Sequence, residues 1–206
     1  MKRSLLTAAL LLPLLAQAGT QTISQQIASL EATKAERLAR NEPLVSLGFP
    51  QHMSRMAHVI ALQDGRRVNM NDYAVVVFMQ RGCEYSAKFD PKLKTWADDN
   101  GMKVYPYTLD GYGDVSFPNP LIPRKAGPEE PLAGEILTFF GNGLPIATPT
   151  TFLVNVNTNA AYPLYQGDTD AATLGGRVWQ MIGADMDNLS PDQLGPVPTG
   201  SGLTRQ

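Results

Sequence analysis

The sequence predicts an α/β protein: a mixed central sheet with helices on its faces, preceded by an N-terminal helical extension. Three observations lead there. The unbroken apolar run Val75-Val76-Val77-Phe78 suits a central strand covered on both sides. Strand-like and helix-like stretches alternate between residues 58 and 183, the pattern of strands packed under helices. Finally, the strand-like segments 150–156 and 160–166 are joined only by Asn157-Thr158-Asn159, so they form a hairpin and the sheet is mixed. No internal repeat is present.

The elements follow in order. Lys2 and Arg3, the apolar stretch Leu5 to Leu15 and Ala16-Gln17-Ala18 make a secretory signal peptide of residues 1–18, with cleavage expected after Ala18. The apolar run falls short of the ~20 residues a membrane-spanning helix needs, so the mature protein is expected to be exported, most simply to the periplasm, with no membrane attachment after cleavage. Residues 19–57 hold a helix and a linker. Ile23, Ile27, Leu30 and Leu38 form a thin apolar stripe, so the helix docks on the domain or on another subunit, and a homodimer is one expectation.

The domain proper is expected over 58–183. His58 to Gln63 reads as a strand and Asp64-Gly65 as a turn. Asn71-Asp72 leads into a strand at Tyr73–Met79. A helix from about Glu84 to Asn100 turns Phe89, Leu93, Trp96 and Ala97 inward, is kinked by Pro91 and stops at Gly101. Met102 to Thr108 is a further strand. Residues 111–131 hold five prolines and read as a long structureless loop. A helix over 132–140 buries Phe139 and Phe140, and the last, about 170–182, turns Leu174, Val178, Met181 and Ile182 inward. Residues 184–206 are polar and Pro/Gly-rich, a flexible tail.

With a net charge of -2 over 206 residues, nothing points to nucleic acid or an anionic membrane as a partner. The single cysteine is more telling. In an oxidising compartment a lone cysteine pairs with another molecule or is a reactive thiol, and Cys83 has no internal partner. It lies in MQRGCEYS, between the end of a strand and the start of a helix. Free amides and the helix dipole there favour the thiolate, lowering its pKa from ~8.5 toward neutrality, and the thiolate is the form that attacks disulfides. Arg81 should help and Glu84 should oppose. The polar run around Cys83 predicts an exposed sulfur.

These residues resemble the thioredoxin superfamily. There a C-x-x-C motif opens the first long helix, a proline follows the second cysteine by five residues, and a cis-proline precedes the hairpin. Cys83-Glu84-Tyr85-Ser86, Pro91 and Thr148-Pro149 stand in those places. The stretches VVVFMQRGCEY, FDPKLK, VYPYTLDGYGD and TPTTFLVNVNT are similar to the TrbB-type thiol-disulfide isomerases of F-like conjugative transfer systems. The resemblance implies a thioredoxin-like fold and a periplasmic protein. Its partners would be cysteine-containing exported proteins of the transfer apparatus, with a thiol-disulfide redox partner conceivable. Thr148, Pro149 and Tyr85 would meet substrate, and no cofactor is implied.

Ser86 departs from the pattern. A hydroxyl can hydrogen-bond the Cys83 thiolate but cannot resolve a mixed disulfide, so a dithiol cycle is excluded while isomerisation is not. Three accounts stand: a monothiol or glutathione-dependent enzyme, a substitution that traps substrate complexes, or a binding groove that has given up catalysis. The last is a non-catalytic chaperone or scaffold of the conjugation machinery. His52 and His58 have no cysteine beside them, so no metal site is expected. Asp64, Asp98, Asp99 and Asp110 are the candidates for a buried proton acceptor, although solvated turn and helix-end positions are the commoner fate of such residues.

Overall fold

The structure is a computed structural model that describes residues 23–39 and 57–200, apart from 126, 128, 130, 131 and 142. The segments expected to be the signal peptide (1–18) and most of the linker lie outside the described residues.

Helix α1 (Ile23–Ala39) is followed by two three-residue strands, β1 (Val59–Ala61) and β2 (Arg67–Asn69). These pair antiparallel around the Asp64-Gly65 turn, where Gly65 takes a φ of 84°. The strand and turn expected at 58–65 are thus present, and the unforeseen β2 completes a small hairpin separate from the main sheet. Asn71 and Asp72 lie in a single 3-10 turn, Met70–Asp72, before β3 (Tyr73–Met79). Then come α2 (Glu84–Asp99), β4 (Lys103–Thr108), α3 (Gly134–Phe140), β5 (Thr150–Asn155), β6 (Ala161–Gln166) and α4 (Ala171–Met186).

The four-stranded sheet runs β4-β3-β5-β6, with β4 parallel to β3, and β5 and β6 successively antiparallel. This is a thioredoxin-like sheet, mixed as the hairpin predicted. All seven residues of β3 are buried because both faces are covered. Val75, Val77 and Met79 face Phe89, Leu93 and Trp96 of α2 and Leu174, Val178 and Ile182 of α4. Val76 and Phe78 face Ile136, Phe139 and Phe140 of α3, with Ile27 and Leu30 of α1 packed against that side. Phe78 touches Phe139, Phe140 and Phe152 with ring centroids 4.9–6.0 Å apart, so the expected burial of Phe139 and Phe140 holds. Gly175 of α4 admits Trp96: a Cβ there would lie 2.9 Å from its Nε1.

Helix α2 runs through Pro91, whose ring nitrogen cannot donate to the preceding turn, and ends where Gly101 takes a φ of 61°. The prolines inside strands, Pro106 and Pro163, sit on the two edge strands, where a missing amide costs least.

Two loop expectations are corrected. The Pro-rich segment is organised at its start: Asp114 caps a turn by accepting from the Phe117 amide (2.7 Å), Phe117 is buried, and Leu121 bridges the outer edge of β4. The described part of the tail, 184–200, is not loose either. Helix α4 continues to Met186, and the Gln166 amide of β6 donates to the Pro198 carbonyl while the Gly200 amide donates back to Gln166 (3.0 and 2.7 Å). Both features were hidden because backbone hydrogen bonds to an open sheet edge, with only isolated apolar anchors such as Phe117 and Leu194, hold these segments.

Candidate active site

The site forms where β3 ends and α2 begins. At the end of the apolar run the chain turns tightly: the Cys83 amide donates to the Gln80 carbonyl (3.1 Å) and Cys83 becomes the N-cap residue of α2. Its own carbonyl accepts the Ala87 amide at 3.0 Å. The sulfur is therefore held at the positive end of a sixteen-residue helix.

Opposite it lies the loop leading into β5, with Thr148-Pro149 in the cis form expected of it. The Cys83 thiol donates to the Thr148 carbonyl at 3.2 Å. The sequence-predicted pair of attacking thiol and neighbouring backbone is thus brought together, although the two are 65 residues apart.

The exposure expected of the sulfur is overturned. Cys83 is only 8% exposed, because the Thr148 loop closes over it and α1 lies alongside. Ile23 of α1 comes within 3.2 Å of where a side chain on Gly82 would begin. Local polarity misled here because the covering groups come from distant segments.

The remaining predicted residues sort as follows. Ser86 is 1% exposed and its hydroxyl oxygen accepts from the Gln80 amide at 3.4 Å. Tyr85 is half-buried, with the Lys88 ammonium 5.6 Å from its ring centre. Arg81 is exposed and its amide donates to Asp110 (3.0 Å), which also accepts from Thr108 and Tyr112. Asp110 therefore anchors the Pro-rich segment to the residues just before Cys83. Glu84 pairs with Lys88 one turn on, which holds its carboxyl below the ordinary range. Its negative charge beside the thiol is offset by that partner.

Of the four aspartates named as candidate acceptors, none is buried. The buried one is Asp90. It is fully excluded from solvent, and its carboxyl faces that of Asp114. Burial pushes its pKa up to about 9, and the charges of Asp114 and Cys83 act in the same direction. It is a neutral acid at pH 7. The signal was in the helical stripe: Ser86, Phe89, Asp90 and Leu93 share the inward face. A second residue left out of the sequence reading, Gln80, is also fully buried. No pattern flagged it, since it reads as the polar end of a strand.

No protein-family model matches the chain. Over 117 residues it is 49% identical to Protein TrbB of Escherichia coli (strain K12), covering 57% of this chain and 60% of that protein. The chain thus spans less than two thirds of the relative's length. Among solved structures, a thio-disulfide isomerase from Thermus thermophilus superposes with a TM-score of 0.36 at 16% identity, over 68% of this chain and 96% of that one. StoA from Bacillus subtilis gives 0.32 at 17%, over 61% and 98%. The chain is thus similar in sequence to TrbB, and the β4-β3-β5-β6 topology with the Cys83–Thr148 pairing is the arrangement that the resemblance in its sequence implied.

Proposed function

We propose that the protein performs thiol-disulfide interchange on other proteins, as a disulfide-isomerase-like catalyst with one attacking cysteine. The observation that carries this is the placement of Cys83: the lone thiol of the chain caps a helix N-terminus, 3.2 Å from the backbone of the Thr148 loop. In the reaction the Cys83 thiolate attacks one sulfur of a substrate disulfide. A mixed disulfide forms and the substrate's other sulfur leaves as a thiolate. A substrate thiolate then attacks the substrate sulfur of the mixed disulfide, closing a new substrate disulfide and restoring the Cys83 thiolate. No net oxidation occurs, which fits a site whose second motif position is Ser86. An extended substrate chain would pass along Thr148 and Pro149, with Tyr85 beside it.

The export signal in the sequence and the likeness to TrbB support a periplasmic setting and substrates among cysteine-containing exported proteins of a conjugative transfer apparatus. The burial of Cys83 favours a second reading, a non-catalytic chaperone or scaffold on the same fold. The two part in one experiment. The reduced mature protein is mixed with a reporter protein carrying scrambled disulfides. Interchange predicts recovery of the native reporter and a mixed disulfide by mass spectrometry, both absent in Cys83→Ala. Binding of the reporter that is equal in wild type and Cys83→Ala, with no recovery, would give the scaffold reading the lead.

A further inference from the structure

We infer that Gln80 is a positioning residue of this site and that α1, through Gln26, is part of the device that aims the Thr148 loop at the thiol. The inference rests on the interchange reading and adds to it.

Gln80 is fully buried and uses its backbone and both ends of its side chain. Its amide donates to Ser86 (3.4 Å) and its carbonyl accepts the Cys83 amide (3.1 Å). Its side-chain oxygen accepts from the Thr148 hydroxyl at 2.9 Å, and its side-chain nitrogen donates to Oε1 of Gln26 at 3.0 Å. One residue thus touches the turn that holds the sulfur, the resolving position, the loop opposite and the N-terminal helix.

The direction of that carboxamide matters. A buried amide must match donor to acceptor at each end. Gln26 presents an acceptor and Thr148 a donor, and together they select one of the two flips. Without the Gln26 acceptor the amide is free to turn its NH2 toward Thr148, whose hydroxyl must then rotate. The Thr148 carbonyl, which receives the Cys83 thiol, belongs to the same residue. Helix α1 also grips the residues leading to Thr148: Lys34 donates to the Leu144 carbonyl (2.9 Å), and Glu31 accepts the Ile146 amide. Two contacts from one helix therefore reach 144 and 146 directly, and a third reaches Thr148 through Gln80.

An extended chain presenting a disulfide to Cys83 depends on the aim of that loop, whereas a small alkylating reagent needs only access to the sulfur, which a misaimed loop does not reduce. The obvious variant, Gln80→Leu, removes a buried hub and can fail to fold, so the decisive pair is on α1: Gln26→Leu, which deletes the acceptor, and Gln26→Glu, which keeps one. Two rates are measured on each reduced protein, mixed-disulfide formation with an extended peptide disulfide and alkylation by iodoacetamide. Gln26→Leu is expected to slow the peptide reaction about tenfold, within the range that small misplacements cost. Alkylation should stay within about twofold, and Gln26→Glu should retain the peptide rate. An unchanged peptide rate in Gln26→Leu overturns the inference. So does an equal loss of both rates, or a loss as large in Gln26→Glu. If wild type is alkylated yet forms no mixed disulfide with the peptide, the interchange reading fails first, and this inference with it.

Discussion

At the scale of single residues the site is a small set of buried polar groups with unequal satisfaction. Gln80 and Thr148 are fully engaged, whereas Asp90 is buried with another carboxyl, that of Asp114, beside it. A neutral acid kept at about 9 in the fold but near 3.9 in the unfolded chain binds its proton more tightly when folded. Its contribution is complete below the unfolded value and is lost as pH rises toward the folded one. Wild-type stability should therefore fall between pH 4 and pH 9, and Asp90→Asn should flatten that fall, gaining on the order of a few kcal/mol over wild type by pH 9. Urea denaturation at pH 4, 7 and 9 measures it; parallel profiles for the two proteins would show that Asp90 ionises normally. Ser86 supports a second expectation. Ser86→Cys places a second sulfur at the motif position on the first turn of α2, and mild oxidation should then close a reducible internal disulfide. A thiol titration that still finds both sulfurs free after oxidation would show that the position no longer fits a resolving cysteine.

At the scale of elements, apolar periodicity made most of the fold legible, because burial leaves a mark on the sequence. β3, α2, β5, β6 and the inward faces of α2 and α4 were readable for that reason: the buried set on α4 includes Leu174, Val178, Met181 and Ile182. Features held by polar contacts were not. The split of 58–69 into two three-residue strands rests on backbone pairing, and the reach of α4 past Ile182 rests on Asp185. The Tyr73 and Tyr162 hydroxyls and the Asn155 amide all donate to that one carboxylate, at 2.6, 2.9 and 2.6 Å. Burial and the bond to Asp185 together push the Tyr162 hydroxyl up to about 12. The carboxylate ties the end of α4 to β3, β5 and β6. Asp185→Ala leaves three donors without their acceptor and should cost about 2–4 kcal/mol, from charge-assisted bonds worth ~1.5–3 kcal/mol each and partial rescue by water. Chemical denaturation measures the loss; a change under ~0.5 kcal/mol would mean that water satisfies all three donors.

At the scale of the whole molecule, the position of Cys83 between a strand and a helix could be read from the sequence but its surroundings could not, since the Thr148 loop that covers it lies 65 residues away along the chain. The same distance effect governs the sheet edges. β4 is flanked by Leu121, and β6 is flanked by the chain at 198–200. That C-terminal stretch also walls one side of a cleft of about 850 Å3 whose other walls include Phe139, Ile146, Pro163 and Gln166. Truncation after Leu194 keeps Leu194 against the core but removes both bonds to Gln166 and opens the cleft. Two backbone bonds at ~0.5–1.5 kcal/mol each set the scale, so the truncated chain should lose about 1–3 kcal/mol and the Gln166 amide should exchange faster. The exposed edge should nevertheless not drive association, because Pro163 interrupts the donor row of β6 at mid-strand and blunts it as a template. Size-exclusion chromatography of full-length and truncated protein separates the two effects: equal elution with a lower urea midpoint is expected. A concentration-dependent shift in the truncated chain alone would show that the C-terminal stretch, and not Pro163, keeps this edge closed.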